Sequence, residues 1–158
     1  MKLVRYEFEN RVALGVEEDG TITRLDLKPD MKKLIAKYSS AADGPGELSK
    51  KETKDRILTG DVNILDPIKG TGKIVCLGRN YVAHAEESGM SVPDEPIIFP
   101  KTSSAVIGQG DAIVHHKICK RVDHEVELAV IIGDRAWKTP RSEALGKIFG
   151  YTVLNDVS

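Results

Sequence analysis

Residues 123–132, DHEVELAVII, constrain the fold and the chemistry of this chain more than any other segment. Side chains alternate between the two faces of a β-strand, so the acidic residues Asp123, Glu125 and Glu127 share one face. The segment then continues into four apolar residues, 129–132. A strand that is apolar on both faces is typical of the inside of a sheet, so we expect it to be central and buried.

Carboxylates on one face of a buried strand repel each other and resist desolvation. Acidic residues are also poor strand formers. A hard divalent cation with oxygen ligands, such as Mg²⁺, would neutralise them. The alternative is a solvated strand face with ordinary surface acids, and the pattern by itself leaves both interpretations open.

Two weaker signals lie on either side of this strand. His84 and Glu87 are three positions apart in a helix predicted over residues 81–90, where such side chains are neighbours. A carboxylate orients an imidazole and raises its basicity, as a general base that activates water requires; a surface histidine near a surface glutamate is the alternative. Asp156 follows an apolar strand predicted over residues 151–154, where it would either complete a metal site or form an ordinary turn.

The first part of the chain contains strand and helix patterns. Residues 1–27 predict a small β-meander with a hairpin near Asp19 and Gly20. Apolar residues at helical spacing predict an amphipathic helix over residues 31–38, and residues 47–58 predict a charged helix. The strands and helices predicted in both parts of the chain are short.

A glycine-rich linker at residues 69–73 suggests a boundary between two modules. We expect a small N-terminal domain over residues 1–70 and a second domain over residues 71–158. Many short strands with few short helices predict a β-rich α+β fold rather than a doubly wound sheet.

The composition excludes several classes of function. The 158 residues include 23 Lys and Arg and 24 Asp and Glu, for a formal net charge of −1. A chain without a basic half is unlike proteins that bind nucleic acid or anionic membranes. No apolar run is long enough to span a bilayer. The two cysteines form no disulfide framework, so we expect a cytoplasmic protein.

Four stretches, in order along residues 72–158, resemble signatures of the fumarylacetoacetate hydrolase family. They are GRNYVAHAEE, PIIFPKTSSA, RVDHEVELAVIIG and FGYTVLNDVS. The first resembles the family's Gly-x-Asn-Tyr-x-x-His-x-x-Glu signature, the second its Pro-x-x-Phe-x-Lys stretch, the third its metal-ligand strand and the fourth the segment with a further acidic ligand. The first 70 residues resemble the small N-terminal domain that many bacterial and archaeal members carry.

The resemblance implies a fold and a metal site. The small N-terminal β domain would be followed by the first part of a mixed-sheet β-roll. Glu125, Glu127 and Asp156 would ligate Mg²⁺, Mn²⁺ or Ca²⁺. His84 and Glu87 would position and activate water, or move a proton in members that do not hydrolyse.

The resemblance also implies a substrate class. Arg79, Tyr81 and Lys101 would contact a small 2-oxo or β-diketo acid, often one from aromatic catabolism. The enzyme would hydrolyse a carbon–carbon bond, isomerise or decarboxylate through a metal-stabilised enolate. The alternative is a non-catalytic member or fragment that binds metal or a partner chain without turnover. Homodimers are common in the family, so we expect one here.

Family members continue well beyond the Asn-Asp-Val-Ser stretch with which this sequence ends. We therefore expect an N-terminal fragment of a longer enzyme, a truncated version of the family fold. Such a fragment would leave sheet edges unpaired and apolar faces exposed.

Overall fold

A computed structural model describes residues 1–39, 44–87, 89 and 91–158, without the side chains of Pro45 and His84. The strands are β1 (Lys2–Phe8), β2 (Arg11–Glu18), β3 (Thr21–Leu25), β4 (Glu52–Leu58), β5 (Asn63–Ile64), β6 (Ile74–Gly78), β7 (Ile97–Lys101), β8 (Val126–Ile132) and β9 (Ile148–Asn155). The helices are α1 (Met31–Tyr38), α2 (Gly44–Ser49), α3 (Val82–Glu87) and α4 (Arg141–Ala144). This strand-rich architecture confirms the predicted α+β class.

The first five strands form one antiparallel sheet in the order β4-β3-β2-β1-β5. Its two tight hairpins turn at Glu9 and Asn10 and at Asp19 and Gly20, all four of which have positive φ. Two-residue turns of this kind match the right-handed twist of the strands that they join. The predicted hairpin at Asp19 and Gly20 is therefore present, and its turn fixes the β2–β3 register.

Helix α1 covers this sheet. It begins after Asp30, whose side chain accepts a hydrogen bond of 3.1 Å from the Lys33 backbone N–H. Such a cap satisfies one of the free donors of the first turn. Its predicted apolar stripe is buried and consists of Met31, Leu34, Ile35 and Tyr38. The stripe packs with Leu14, Val16, Leu25 and Leu48, and Ile131 of β8 and Phe149 of β9 pack against the same core.

The prediction of a helix over residues 47–58 is wrong. Helix α2 ends at Ser49, and the charged residues that follow form β4, which pairs with β3. Ile57 pairs with Ile22 and packs against the buried cluster that contains it. This pairing overrides the helix propensity of the lysines and glutamates. Charged side chains are common on such a sheet edge.

The second part of the chain contains two antiparallel pairs, β6–β7 and β8–β9. The expectation that β8 is central and buried does not hold in this structure. Within the described ranges β8 pairs with β9 alone, and one face of β8 carries Val126, Leu128, Val130 and Ile132, which are 45–73% exposed. Helix α3 is shorter than predicted, and residues 88 and 90 of that prediction lie outside the described residues. Among the residues that the structure describes, no helix has the length and hydropathy of a membrane span.

Candidate metal centre

Three carboxylates converge where β8 begins and β9 ends. One oxygen from each of Glu125, Glu127 and Asp156 lies within 4.8 Å of the others. The strand periodicity places the two glutamates on one face, as the sequence predicts. They are partly buried, whereas Asp156 is only 3% exposed.

Backbone pairing between the two strands fixes the position of Asp156. Its N–H donates to the Glu125 carbonyl at 2.8 Å, and the Glu125 N–H donates to the Asn155 side-chain carbonyl at 3.0 Å. Beyond that, Asp123 and Ser158 exchange two backbone hydrogen bonds of 2.8 and 3.2 Å. Asn155 thus aligns Glu125 with Asp156, a role that the sequence did not indicate because Asn-Asp is ordinary turn chemistry.

Lys101 approaches the same site from the β6–β7 pair. Its ammonium lies 2.7 Å from Asp156 Oδ1 and donates to the Val157 carbonyl at 3.1 Å. It also lies 5.8 Å from the centre of the Phe99 ring. The residue expected to contact substrate therefore forms an ion pair with one of the three acids.

Cys76 is a further neighbour of Asp156. The thiol is buried in β6 and hydrogen bonds to the Asp156 carboxylate. Burial and this hydrogen bond to the protonated form raise the pKa of Cys76 to about 11. The sequence predicts only a small buried hydrophobe here, because the strand IVCLG contains nothing that distinguishes a packing cysteine from a hydrogen-bonding one.

Helix α3 contains the predicted proton-transfer pair. His84 and Glu87 lie in it three positions apart; Glu87 is exposed, and the His84 side chain lies outside the described part of the structure. The hydroxyl of Tyr81, just before the helix, accepts a hydrogen bond of 3.1 Å from the Leu128 N–H. This bond joins the start of α3 to the outer edge of the acidic strand β8.

Arg79 lies in the turn that connects β6 to α3. Its φ of 53° places it in the left-handed region, which a non-glycine residue adopts at some cost in energy. Its guanidinium donates to the Ser91 carbonyl at 3.4 Å, and with Asn80 and Asp94 it lines a shallow groove of about 200 Å³. The structure thus brings Lys101 to the three acids and places Arg79 at a groove.

The donor set has the chemistry that a hard divalent cation requires. All three ligand atoms are carboxylate oxygens, the donors that Mg²⁺, Mn²⁺ and Ca²⁺ prefer. A solvated strand face does not describe Asp156, because a carboxylate that is 3% exposed has lost its water and needs cationic or hydrogen-bonding partners. The residues present therefore fit such an ion.

Comparison with known proteins places the chain in a family. Residues 73–158 match the family model described as fumarylacetoacetate (FAA) hydrolase C-terminal. The chain belongs to the fumarylacetoacetate hydrolase family. The resemblance in the four sequence stretches is thereby confirmed.

Several proteins that are similar to this chain carry enzyme names. A mitochondrial oxaloacetate tautomerase of Xenopus laevis is 31% identical over the whole chain, which covers 52% of that protein. The structure of a fumarylacetoacetate hydrolase from Exiguobacterium antarcticum has 28% identity and a TM-score of 0.80, with 100% of this chain and 56% of that chain covered.

A maleylpyruvate hydrolase from a Sphingobium species has been solved in complex with manganese(II) and pyruvate. It is 26% identical with a TM-score of 0.77, and the match covers 99% of this chain and 58% of that one. The chain spans about half the length, or less, of the curated relatives that it matches.

Proposed function

We propose that this chain carries the metal centre of an enzyme that acts on small 2-oxo or β-diketo acids. The ion is a divalent cation, Mg²⁺, Mn²⁺ or Ca²⁺, and the ligands are Glu125, Glu127 and Asp156. The observation that carries the proposal is the convergence of these three carboxylates within 4.8 Å around a buried aspartate. The manganese and pyruvate in the Sphingobium hydrolase support the same class of ion and substrate.

Other residues of the chain would bind the substrate and transfer the proton. Arg79 and Lys101 supply cationic donors for a substrate carboxylate, and Tyr81 supplies a hydroxyl. His84 and Glu87 hold or move the proton, either on a water molecule or on the substrate carbon. When bound, the ion supplies Lewis-acid stabilisation of enolate charge on the substrate's oxo oxygen.

This division of roles serves hydrolysis of a carbon–carbon bond, isomerisation and decarboxylation alike. Each reaction builds negative charge on the same oxygen, so the three acids do not distinguish them. The tautomerase and hydrolase names of the relatives fit that range. We further propose that the substrate arises in the breakdown of aromatic compounds.

Direct metal binding tests the proposal. We expect Mn²⁺ to bind the full chain in calorimetry, and Glu125→Gln or Asp156→Asn to weaken binding at least tenfold, since each removes a charged ligand. Asp123→Asn is the matched control, because Asp123 lies only two residues before Glu125 and pairs with Arg121 at 2.7 Å. It should change the affinity by less than about threefold, since an exposed charge pair contributes little. Equal binding by the wild type and Glu125→Gln would show that the ligands are wrong.

Turnover separates an active enzyme from a member that binds metal only. Oxaloacetate tautomerisation and acylpyruvate hydrolysis are the assays, each with and without Mn²⁺ or Mg²⁺. His84→Ala should retain metal affinity and lose activity by about 10²-fold or more, the usual contribution of a general base. Metal binding without turnover in the wild type would support the non-catalytic alternative.

The remaining proposals rest on the glycine-rich linker at residues 69–73 and on the family resemblance. We propose that residues 1–70 and residues 71–158 are separate domains and that the protein forms a homodimer. The cytoplasmic compartment stays a prediction from the sequence, since the Xenopus relative is named as mitochondrial. Light scattering of the purified chain tests the dimer.

A further inference from the structure

Lys101 contacts an acid of the proposed metal centre rather than open solvent. Its ammonium lies 2.7 Å from Asp156 Oδ1, and its side chain is 27% exposed against 3% for Asp156. The Val157 carbonyl accepts a second hydrogen bond from the same ammonium at 3.1 Å. The lysine is therefore held at the innermost ligand by two neighbouring residues.

The charges explain why a cation is needed at this position. Asp156 is buried, and one of its carboxylate oxygens lies within 4.8 Å of a carboxylate oxygen of Glu125 and of Glu127. A buried carboxylate without a cationic partner is strongly destabilising, and neighbouring carboxylates of the same sign increase that cost. The positive charge of the Lys101 ammonium offsets this cost of burying the Asp156 carboxylate.

A divalent cation held by the same three oxygens would lie within a few ångströms of the Lys101 ammonium. At such a separation the repulsion between the two cations is several times the thermal energy, even with partial screening. Both cations also use the same Asp156 carboxylate. Binding one therefore disfavours binding the other.

We propose that Lys101 is a positioning residue that competes with the divalent cation for Asp156. With no cation bound, it is the counter-ion that holds this buried carboxylate in place. When a cation binds, the ammonium is displaced from Asp156 and becomes available to an anionic substrate. This inference rests on the metal site proposed above.

Mn²⁺ affinity of the full chain tests the competition. After chelator treatment, calorimetry should give a Kd for Lys101→Met about tenfold lower than for the wild type, because the repulsive charge is gone. Lys101→Arg keeps the charge and should stay within about threefold of the wild type. Lys147→Met is the matched control, since it removes a lysine that pairs with Asp134 at 2.8 Å instead.

Thermal unfolding in chelator gives a readout that does not involve metal. Lys101→Met should lower the Tm by several degrees, whereas the double variant Lys101→Met/Asp156→Asn should recover much of that loss. Lys101→Gln, which can still donate a hydrogen bond but carries no charge, provides the same comparison if the methionine variant does not fold.

The outcomes separate this inference from the proposed function. Weaker or unchanged Mn²⁺ binding by Lys101→Met, beside normal binding by the wild type, would overturn the competition and leave the metal site intact. An absence of Mn²⁺ binding by both proteins would overturn the metal site itself, and the competition with it. Tighter binding by the variant, with the Tm loss recovered in the double variant, supports both.

Discussion

The two parts of the chain differ in what they bury. In the five-stranded sheet and the helices packed on it, the most deeply buried side chains are large and mostly apolar, namely Tyr6, Leu14, Ile22, Leu25 and Leu48. From residue 74 onward, the buried side chains within the described ranges are those of Cys76, Ala85 and Asp156. Cys76 and Asp156 contact each other at the candidate metal centre.

This difference separates the source of stability from the site of the chemistry. Burial of apolar area is the main favourable term in folding, and the first part of the chain supplies most of it. In the second part, burial is concentrated on a polar cluster, while apolar side chains of β8 and β9 face outward. The positions of the acids then depend on backbone pairing and on ion pairs rather than on a large local core.

The largest expected effect contrasts two leucines. Leu14 is 1% exposed in β2 and Leu128 is 60% exposed in β8. Leu14→Ala should lower the free energy of unfolding by about 2–5 kcal/mol, because it leaves a cavity. Leu128→Ala should change it by less than about 0.5 kcal/mol. Urea unfolding followed by circular dichroism measures both, and a similar loss at Leu128 would mean that its face of β8 is covered in solution.

The next effect contrasts the two cysteines. Cys76 is buried with a pKa of about 11, and Cys119 is exposed. Because the thiolate is the nucleophile, alkylation of Cys76 at pH 8 should be about a hundredfold slower than that of Cys119. Mass spectrometry of iodoacetamide-treated protein gives the two rates, and equal rates would contradict the buried placement of Cys76.

The raised pKa of Cys76 also predicts a pH dependence of stability. The folded protein holds this proton more tightly than the unfolded chain, whose thiol titrates near 9. Below about pH 9 the protonated thiol makes its full contribution to the free energy of unfolding. This contribution is lost as the pH rises from there through about 11. Cys76→Ala should remove this loss, so the same pH dependence in that variant would assign it to another group.

The sequence predicted those features that depend on local pattern. The apolar stripe of α1, the turn at Asp19 and Gly20 and the shared face of Glu125 and Glu127 all follow from periodicity or turn chemistry. Local preference determines each of them, and the tertiary structure agrees with it.

The features that the sequence missed depend on distant partners. Residues 52–58 form a strand because β3 offers an edge, although Glu52, Lys54 and Arg56 favour a helix. Asp156 forms an ion pair with Lys101, which lies 55 positions earlier in the chain. It also accepts a hydrogen bond from Cys76, which lies 80 positions earlier. No local pattern encodes such a contact. The three acids and Lys101 were therefore predictable from motifs, whereas the contacts of Lys101 and Cys76 with Asp156 were not.

The smallest effect concerns Tyr81, which joins the start of α3 to β8 through a hydrogen bond. Its hydroxyl accepts from the Leu128 N–H, so Tyr81→Phe should cost about 0.5–1.5 kcal/mol and speed exchange of that amide hydrogen. Tyr151→Phe is the control, since that tyrosine is 59% exposed on β9. Hydrogen exchange followed by NMR measures the effect. A higher KM with unchanged exchange at Leu128 would instead favour substrate contact. Faster exchange with unchanged Mn²⁺ affinity would show that Tyr81 aligns α3 with β8.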